Sequence, residues 1–408
     1  METTKETTEK NLSQTASGDA YAHAIVIGSG MAGLMAAQVL VDNFTRVTII
    51  ERDLITQNPN QRRGVPQANH AHTLLPRGQR ILSKLFPNLL PELESCGALM
   101  LDASRDVVFF ENGRWHSPKQ RMQRVAASRP LLETTLYKRV ANHPQVTILS
   151  GYNVRGLLIN EAANCVCGVE LRPRRGATTH LTELDATLVV DTSGRNSHTP
   201  KWLKTAGYET PVEERVDASV GYATCVFEQP ENFSDSWQSL YIRPELENGT
   251  RGGIVVPMEN GRWCVTLLGV AGDHPPTDEA GFLQFARSLP TSRLYDAIKE
   301  AKPVGKPFGF RRTENRRRRY DALPAFLEGF LVMGDAAVAM NPIYAQGMTA
   351  AAITAQQLEN CLKKQRSSSK TSLKGLAQRF QVALHNSLDK LWTVNTSKDS
   401  LWQHALAH

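Results

Sequence analysis

The residues Gly28-Ser29-Gly30-Met31-Ala32-Gly33 form a G-x-G-x-x-G fingerprint, a spacing suited to gripping a pyrophosphate. The first glycine permits a tight turn, the second lets backbone approach the phosphates, and the third allows a helix to pack closely on a strand. The helix that begins there aims free N–H groups and its positive dipole end at the anion. Glu51 closes the next strand with Arg52 beside it, and a carboxylate at that place accepts hydrogen bonds from adenosine ribose hydroxyls. The fingerprint serves NAD and FAD equally.

The elements that must position these groups are legible from hydrophobic patterning. Ala24-Ile25-Val26-Ile27 reads as a buried parallel strand, Met31 to Val41 as a helix and Val47-Thr48-Ile49-Ile50 as the next strand, a complete βαβ unit. From about Ala68 to Leu101, Leu74, Ile81, Leu82, Leu85 and Leu89 recur at helical spacing, interrupted by Pro76 and Pro87. Beta structure is expected from Val107, and Glu111-Asn112-Gly113-Arg114-Trp115 and Glu259-Asn260-Gly261-Arg262-Trp263 each carry the Asn-Gly pair of tight hairpins. Residues 215–275 alternate apolar and polar positions like an antiparallel sheet. A buried strand returns at Phe330-Leu331-Val332-Met333, followed by a long helix from Met348 to about Lys363.

The expected architecture is therefore α/β: a Rossmann-type nucleotide domain with an inserted antiparallel β-sheet substrate domain and C-terminal helices. The nucleotide domain takes residues 21–105, 125–210 and 305–363, the substrate domain residues 106–124 and 211–304, and the C-terminal helical segment residues 364–408. Within that segment Leu376, Phe380, Leu384, Leu388 and Leu391 share one face, for which core packing is expected and a membrane-surface helix is the alternative.

Two distant segments bear on the cofactor. One is Val189-Val190-Asp191-Thr192-Ser193-Gly194-Arg195-Asn196-Ser197; the other is Val332-Met333-Gly334-Asp335-Ala336-Ala337 followed by Asn341-Pro342-Ile343-Tyr344-Ala345-Gln346-Gly347-Met348. With Arg62-Arg63-Gly64-Val65-Pro66-Gln67, His70-Ala71-His72-Thr73-Leu74 and Ser128-Arg129-Pro130-Leu131-Leu132-Glu133 in the same order, the chain from about Ala24 to Lys363 resembles the para-hydroxybenzoate hydroxylase-like flavin monooxygenases. Within them it is most similar to bacterial epoxidases and hydroxylases of polyketide and terpenoid pathways.

That resemblance implies FAD as cofactor and NAD(P)H as reductant. Asp335 would bind the ribityl chain, Arg129 the flavin-side half of FAD, Gly64 and Val65 would lie beside the isoalloxazine, and Arg63 would be a further FAD-binding residue. Read alone, Asp335 could cap a helix and Arg129 could serve a surface ion pair. Pro342 and Gly347 would keep side chains off the ring, and Gly347-Met348 would begin a helix whose positive end faces it. The implied reaction passes through a flavin hydroperoxide that epoxidises or hydroxylates an apolar, unsaturated small molecule such as a polyene, terpenoid or aromatic, with O2 as co-substrate. No side-chain acid–base pair is evident, and alkene epoxidation does not require one. Alternatives on the same fold are a flavin-dependent reductase or halogenase, or a non-catalytic flavoprotein. The Trp-x-Trp stretch usual in such halogenases is absent from the sequence.

Composition excludes other classes. Hydrophobic residues at 41% and charged residues at 21% fit a globular enzyme, and no apolar run approaches the roughly 20 residues of a membrane span. Met1 to Ala20 reads as a disordered leader without the apolar core of an export signal, and six scattered cysteines fit a cytoplasmic setting. Cys165 and Cys167 lack a second cluster to complete a metal site, as do His70 and His72, which are kept as pocket residues. A net charge of +7 raises nucleic acid as a partner, but no recognition motif accompanies it. The Arg311, Arg312 and Arg316 to Arg319 cluster reads as a solvated strand or loop edge, with docking of a nicotinamide phosphate or an acidic surface as the alternatives. No obligate protein partner is evident, and peripheral membrane contact is the residual option for the C-terminal helix.

Overall fold

Four short apolar runs that lie almost wholly out of solvent and a partly covered edge strand build a parallel sheet in the order Phe330–Val332, Leu188–Asp191, His23–Ile27, Arg46–Glu51, Val146–Ser150. Strands covered on both faces need no polar alternation, which is why these segments read as continuous apolar runs. The computed structural model in which they are seen describes residues 20–55, 70–162, 164–174, 181–247, 249–369 and 371–407. Arg63, Gly64, Val65 and the leader up to residue 19 lie outside the described residues.

The Met31–Val41 helix returns the chain between the first two strands and buries Leu34, Met35 and Leu40 completely. Each such side chain contributes roughly 1.5–3 kcal/mol of hydrophobic stabilisation. The last strand of the sheet arrives some three hundred residues after the first, and the Gly347–Ser368 helix then packs back against Met31–Val41.

The second sheet has seven strands in the order Phe308–Phe310, Gly221–Glu228, Arg262–Gly269, Arg251–Met258, Ser239–Ile242, Val107–Glu111, Arg114–His116. It is antiparallel apart from one pair, since Val107–Glu111 runs parallel to Ser239–Ile242. Both Asn-Gly pairs sit at positive φ, Asn112 at 52° with Gly113 at 71° and Asn260 at 64° with Gly261 at 62°, as tight hairpin turns demand. Period-two alternation gives this sheet two different faces. Ala223, Cys225, Phe227, Trp263, Val265 and Leu267 point toward Phe282, Phe285, Leu289 and Leu294 of the covering helices, leaving Tyr222, Thr224, Thr266 and Leu268 on the opposite face.

Several details depart from the patterning. Leu99–Asp102, included above in a helical stretch, is a strand paired with Gln123–Ala126; four residues are too few for periodicity to separate helix from strand. Pro76 starts a helix, Pro76–Leu85, instead of interrupting one, because a proline at the first helical position forfeits no hydrogen bond. Phe308–Phe310, assigned above to the nucleotide unit, joins the seven-stranded sheet. Glu213–Val216, assigned to the substrate unit, pairs with Asn315–Arg318 in a small separate sheet.

Arg311 and Arg312 are exposed as expected, but Arg316 to Arg319 are not a solvated edge. Arg317 and Arg318 are 9% and 7% exposed. Arg317 donates to Glu214 at 2.9 Å and to Asp389 at 2.7 Å, Arg318 to Glu213 at 3.1 Å, and Arg319 to Asp321 at 2.9 Å. A buried guanidinium left unpaired would be strongly destabilising, so the acidic partners are what let Arg317 and Arg318 enter the interior, with Arg316 and Arg319 half-buried beside them.

The apolar stripe of the C-terminal helix, Leu376–Ala407, is buried: Leu376, Phe380, Leu384 and Leu388 are core residues, and Leu391 packs partly buried against them. That face is spent inside the protein and is not free for a lipid surface. Among the described residues no helix is long and apolar enough to cross a membrane.

Candidate functional site: a divided cavity on the glycine turn

The three fingerprint glycines answer three different demands. Gly28 has φ of +99°, a backbone conformation that side chains disfavour. At Gly33 an added Cβ would sit 1.9 Å from the Gly28 carbonyl oxygen, so the helix can approach the strand only without a side chain there. At Gly30 a Cβ would meet nothing within 4 Å; its missing side chain leaves room for a guest. Thr192 holds the turn from the neighbouring strand end, donating to the Ile27 carbonyl at 2.7 Å.

Glu51 is 5% exposed and accepts from the Ser29 N–H at 2.9 Å, the Ser29 hydroxyl at 2.7 Å and the Asp53 N–H at 2.9 Å. It thus braces the glycine turn and also forms part of the cavity wall, with Arg52 beside it. A carboxylate with several donors already in place is pre-aimed, ready to accept from a ribose.

A single cavity of about 1100 Å3 opens over this turn. Ordinary ligand pockets hold about 300–1000 Å3, so there is space for a dinucleotide and a second molecule. Gly28, Gly30, Met31, Ala32, Glu51 and Arg52 line one part of it, and Arg129, Asp335, Pro342, Gly347 and Met348 line the floor. Eleven of the expected site residues therefore share one wall, while Gly33 stands behind it as packing.

Arg129 begins its helix after Ser128, whose hydroxyl caps the Leu131 N–H at 3.1 Å. Its side chain is buried and donates to Glu133 at 2.9 Å, so it is no surface ion pair. Asp335 follows Gly334, where φ is +62° and a Cβ would lie 2.6 Å from that of Ala32; the turn must be glycine to lie against the fingerprint. Burial pushes the Asp335 carboxyl above the usual carboxylate range, opposed by the nearby Arg195, Arg129 and Arg316 cations. Arg195 stands 4.0 Å from it and is itself held by the Glu314 and Met340 carbonyls at 2.8 Å and 2.7 Å.

The segment from Asn341 to Gly347 closes the floor. Asn341, 1% exposed, donates to Asp399 at 2.8 Å while its own N–H donates to Asn315 at 2.8 Å. Asp399 is fully buried on the C-terminal helix and also accepts from Asn315 at 2.6 Å and from the Tyr344 hydroxyl at 2.5 Å. Ala345, on the cavity wall, is held at φ of +54°, a conformation that costs a side-chain-bearing residue about 1–2 kcal/mol. The free N–H groups of the Gly347–Ser368 helix begin immediately beyond, at the cavity surface.

Another part of the cavity is the sheet face with Tyr222, Ile254, Thr266, Leu268 and Phe310, together with His70, Ala71, His72 and Thr73, and a further part runs between Tyr152 to Ile159 and Trp202 to Tyr208. The sheet-side part mixes the aliphatic and aromatic Ile254, Leu268 and Phe310 with the polar groups of His70, His72, Thr73, Thr266 and Tyr222. His70 Nδ1 lies 2.8 Å from the Thr224 hydroxyl, and burial holds its pKa down at about 4. His72 is lowered to about 3, first by burial and then by the Arg129 cation. Both imidazoles are neutral at ordinary pH and serve as walls, not acids.

The residues fit FAD. An open glycine turn, a ribose-ready carboxylate, a second acid against the turn and a helix N-terminus all face one elongated cavity. Residues 21–366 match the family described as FAD binding domain. The chain belongs to that family. This flavoprotein is 32% identical over 401 residues, covering 96% of the chain and 82% of the relative, to Protein Rv3254 of Mycobacterium tuberculosis (strain ATCC 25618 / H37Rv). Its fold matches PqsL, a probable FAD-dependent monooxygenase from Pseudomonas aeruginosa, at 16% identity and a TM-score of 0.65 over 94% of this chain and 96% of that one. It also matches the flavin-dependent brominase Bmp2 at 13% identity and a TM-score of 0.65, over 93% and 90% of the two chains.

Two groups of the flavoprotein's site residues escaped the sequence reading. Arg195 was visible inside its motif but had no evident partner. Thr224 and Thr266 could have been found as polar residues at inward positions of otherwise apolar strands, the one signal that the sheet face borders a cavity and not more core.

Proposed function

We propose that the chain is an FAD-dependent monooxygenase that uses NAD(P)H and O2 to epoxidise or hydroxylate an apolar, unsaturated small molecule. The observation that carries this reading is the cavity itself: a dinucleotide cradle and a chamber walled largely by aromatic and aliphatic side chains share one continuous space. Bound FAD would supply the redox chemistry, taking electrons from NAD(P)H and activating O2.

The chain's own residues bind, orient and exclude water. Gly30 would admit the pyrophosphate, Glu51 would hold the ribose, and Asp335 with Arg129 and Arg195 would hold the flavin-side half. The N-terminus of the Gly347–Ser368 helix would offer positive potential to the bound cofactor. Met340, Pro342 and Ile343 form an apolar floor, and dry surroundings suppress wasteful loss of activated oxygen. Arg312, at the cavity mouth, is suited to the nicotinamide nucleotide's phosphate.

The test is direct. Purified protein should be yellow or become so with FAD, oxidise NADPH in air faster when candidate aromatics or polyenes are added, and place one 18O atom from 18O2 in the product. Reduction of the substrate without label points to a reductase, halide incorporation to a halogenase, and a protein that binds FAD but never oxidises NAD(P)H to a non-catalytic flavoprotein.

A further inference from the structure

We infer that Glu259 is a positioning residue for the flavin site: from a hairpin tip of the seven-stranded sheet, its carboxylate fixes the helix start that carries Arg129. The inference rests on reading Arg129 as an FAD-holding residue. It goes beyond that reading by naming what holds the arginine in place.

The turn Glu-Asn-Gly-Arg-Trp occurs twice in the chain, at 111–115 and 259–263. Both copies fold alike, with Asn112, Gly113, Asn260 and Gly261 all at positive φ, yet their glutamates go to different places. Glu111 pairs beside its own sheet with Arg243, and with His116 at 2.9 Å. Glu259 instead accepts from the Ser128 N–H at 3.0 Å and from the Ser128 hydroxyl at 2.5 Å, across 131 residues of chain. Hairpin chemistry accounts for the shared Asn-Gly pair. It does not account for a carboxylate delivered to another unit.

The receiving end is shaped for it. Ser128 caps the Arg129–Ala141 helix, its hydroxyl oxygen accepting from the Leu131 N–H at 3.1 Å while its proton goes to Glu259. Pro130 has no N–H, and a carboxylate at a helix N-terminus also suits the dipole there. Gly97, with φ of +98°, is the seat of the hairpin: a Cβ on it would lie 3.2 Å from that of Glu259.

Arg129 needs an anchor outside its own helix. Its partner Glu133 lies one turn further along that helix, 2.9 Å from Nε and 2.8 Å from Nη2. The pair aims the guanidinium relative to the helix and leaves the helix itself to be placed. At the far end Arg139 ties the helix to Glu92 at 2.6 Å; at the cavity end the tie is Glu259. Nη1 of Arg129 makes no hydrogen bond among the described residues, and the residue lines the cavity, so a shift of the helix start moves that donor with it. The strands that meet at the turn, Arg251–Met258 and Arg262–Gly269, also carry Ile254, Thr266 and Leu268 of the cavity wall. One hairpin therefore sets both a wall of the chamber and the place of the arginine.

The test follows FAD dissociation from the loaded protein, by recovery of flavin fluorescence on dilution, in Glu259→Ala, Arg129→Met and the double variant. Glu259→Ala should bind FAD about tenfold more weakly, equivalent to about 1.4 kcal/mol, and Arg129→Met at least as much. The double variant should be no weaker than Arg129→Met alone, because a residue that acts through Arg129 has nothing to add once the arginine is gone. Glu259→Gln, whose amide oxygen still accepts one Ser128 donor, should recover part of the affinity. Glu111→Ala, the same position of the other turn, should leave it unchanged. Equal losses from Glu259→Ala in both backgrounds would mark a merely structural carboxylate and overturn the inference, as would full FAD affinity in Glu259→Ala. If Glu259→Ala does not fold, Glu259→Gln in the same two backgrounds decides the question by the same comparison.

Undiminished affinity in Arg129→Met removes the reading of Arg129 and the inference with it; a weakened Arg129→Met beside a full-affinity Glu259→Ala removes the inference alone. Neither NAD(P)H nor O2 enters the measurement, so the proposed reaction stands or falls separately.

Discussion

Gly30 and Gly33 are the same residue for opposite reasons, and substitution separates them. Gly33→Ala puts a methyl group onto the Gly28 carbonyl at 1.9 Å, so it should lower stability by about 1–3 kcal/mol or more, read as a lower denaturant midpoint. Gly30→Ala meets nothing in the protein; stability should hold while FAD affinity drops at least tenfold. A Gly30→Ala protein that takes up flavin as wild type does would show that the space is not the pyrophosphate's. Asp335→Ala should purify without flavin, and full occupancy would count against its role. The buried histidines predict a pH response. His23, between the Asp185 carbonyl and the Thr48 hydroxyl, has its pKa lowered to about 4 by burial first and then by Arg46, and His70 is lowered to about 4 by burial. An unfolded chain takes up protons on these rings near pH 6.5 while the folded chain does not, so stability is full above that pH and declines toward pH 4. Each ring contributes at most about 3 kcal/mol. Urea midpoints measured from pH 7.5 to 4.5 should fall, and less so in His23→Gln; a flat profile would contradict the neutral assignments.

At the scale of elements, the segment Asn341 to Gly347 is shaped by a helix remote in sequence. Asp399 gathers Asn315, Asn341 and Tyr344, and burial pushes its carboxyl up while those hydrogen bonds oppose the shift. Asp399→Ala would strand three donors at about 1–3 kcal/mol each. It should weaken FAD binding as well as lower the melting temperature, whereas a change confined to melting would mean that the floor keeps its shape without the carboxylate. Such ties explain what the sequence disclosed and what it hid. The βαβ unit, both Asn-Gly hairpins and the stripe from Leu376 to Leu388 were legible because each depends on local spacing or local φ. Leu99–Asp102 was hidden because four residues carry no period. Arg316–Arg319 misled because its partners Glu213, Glu214 and Asp389 come from distant segments, and no local rule announces them. Of the site, the glycines, Glu51 and Asp335 were readable from motifs; the pairing of His70 with Thr224 needed a loop and a strand 154 residues apart brought together.

For the whole molecule, the nucleotide fold is assembled from segments near both ends of the chain, with the seven-stranded sheet threaded between them. Contacts of such sequence separation form slowly. The floor of the cavity is tied to residue 399, so a shorter nascent polypeptide lacks that tie, and the cradle is expected to form only once it is made. Capture of the coenzyme is thereby deferred until synthesis has passed that aspartate. A ribosome-arrested product ending near residue 370 should stay colourless in the presence of FAD, and one extended beyond 399 and clear of the exit tunnel should turn yellow.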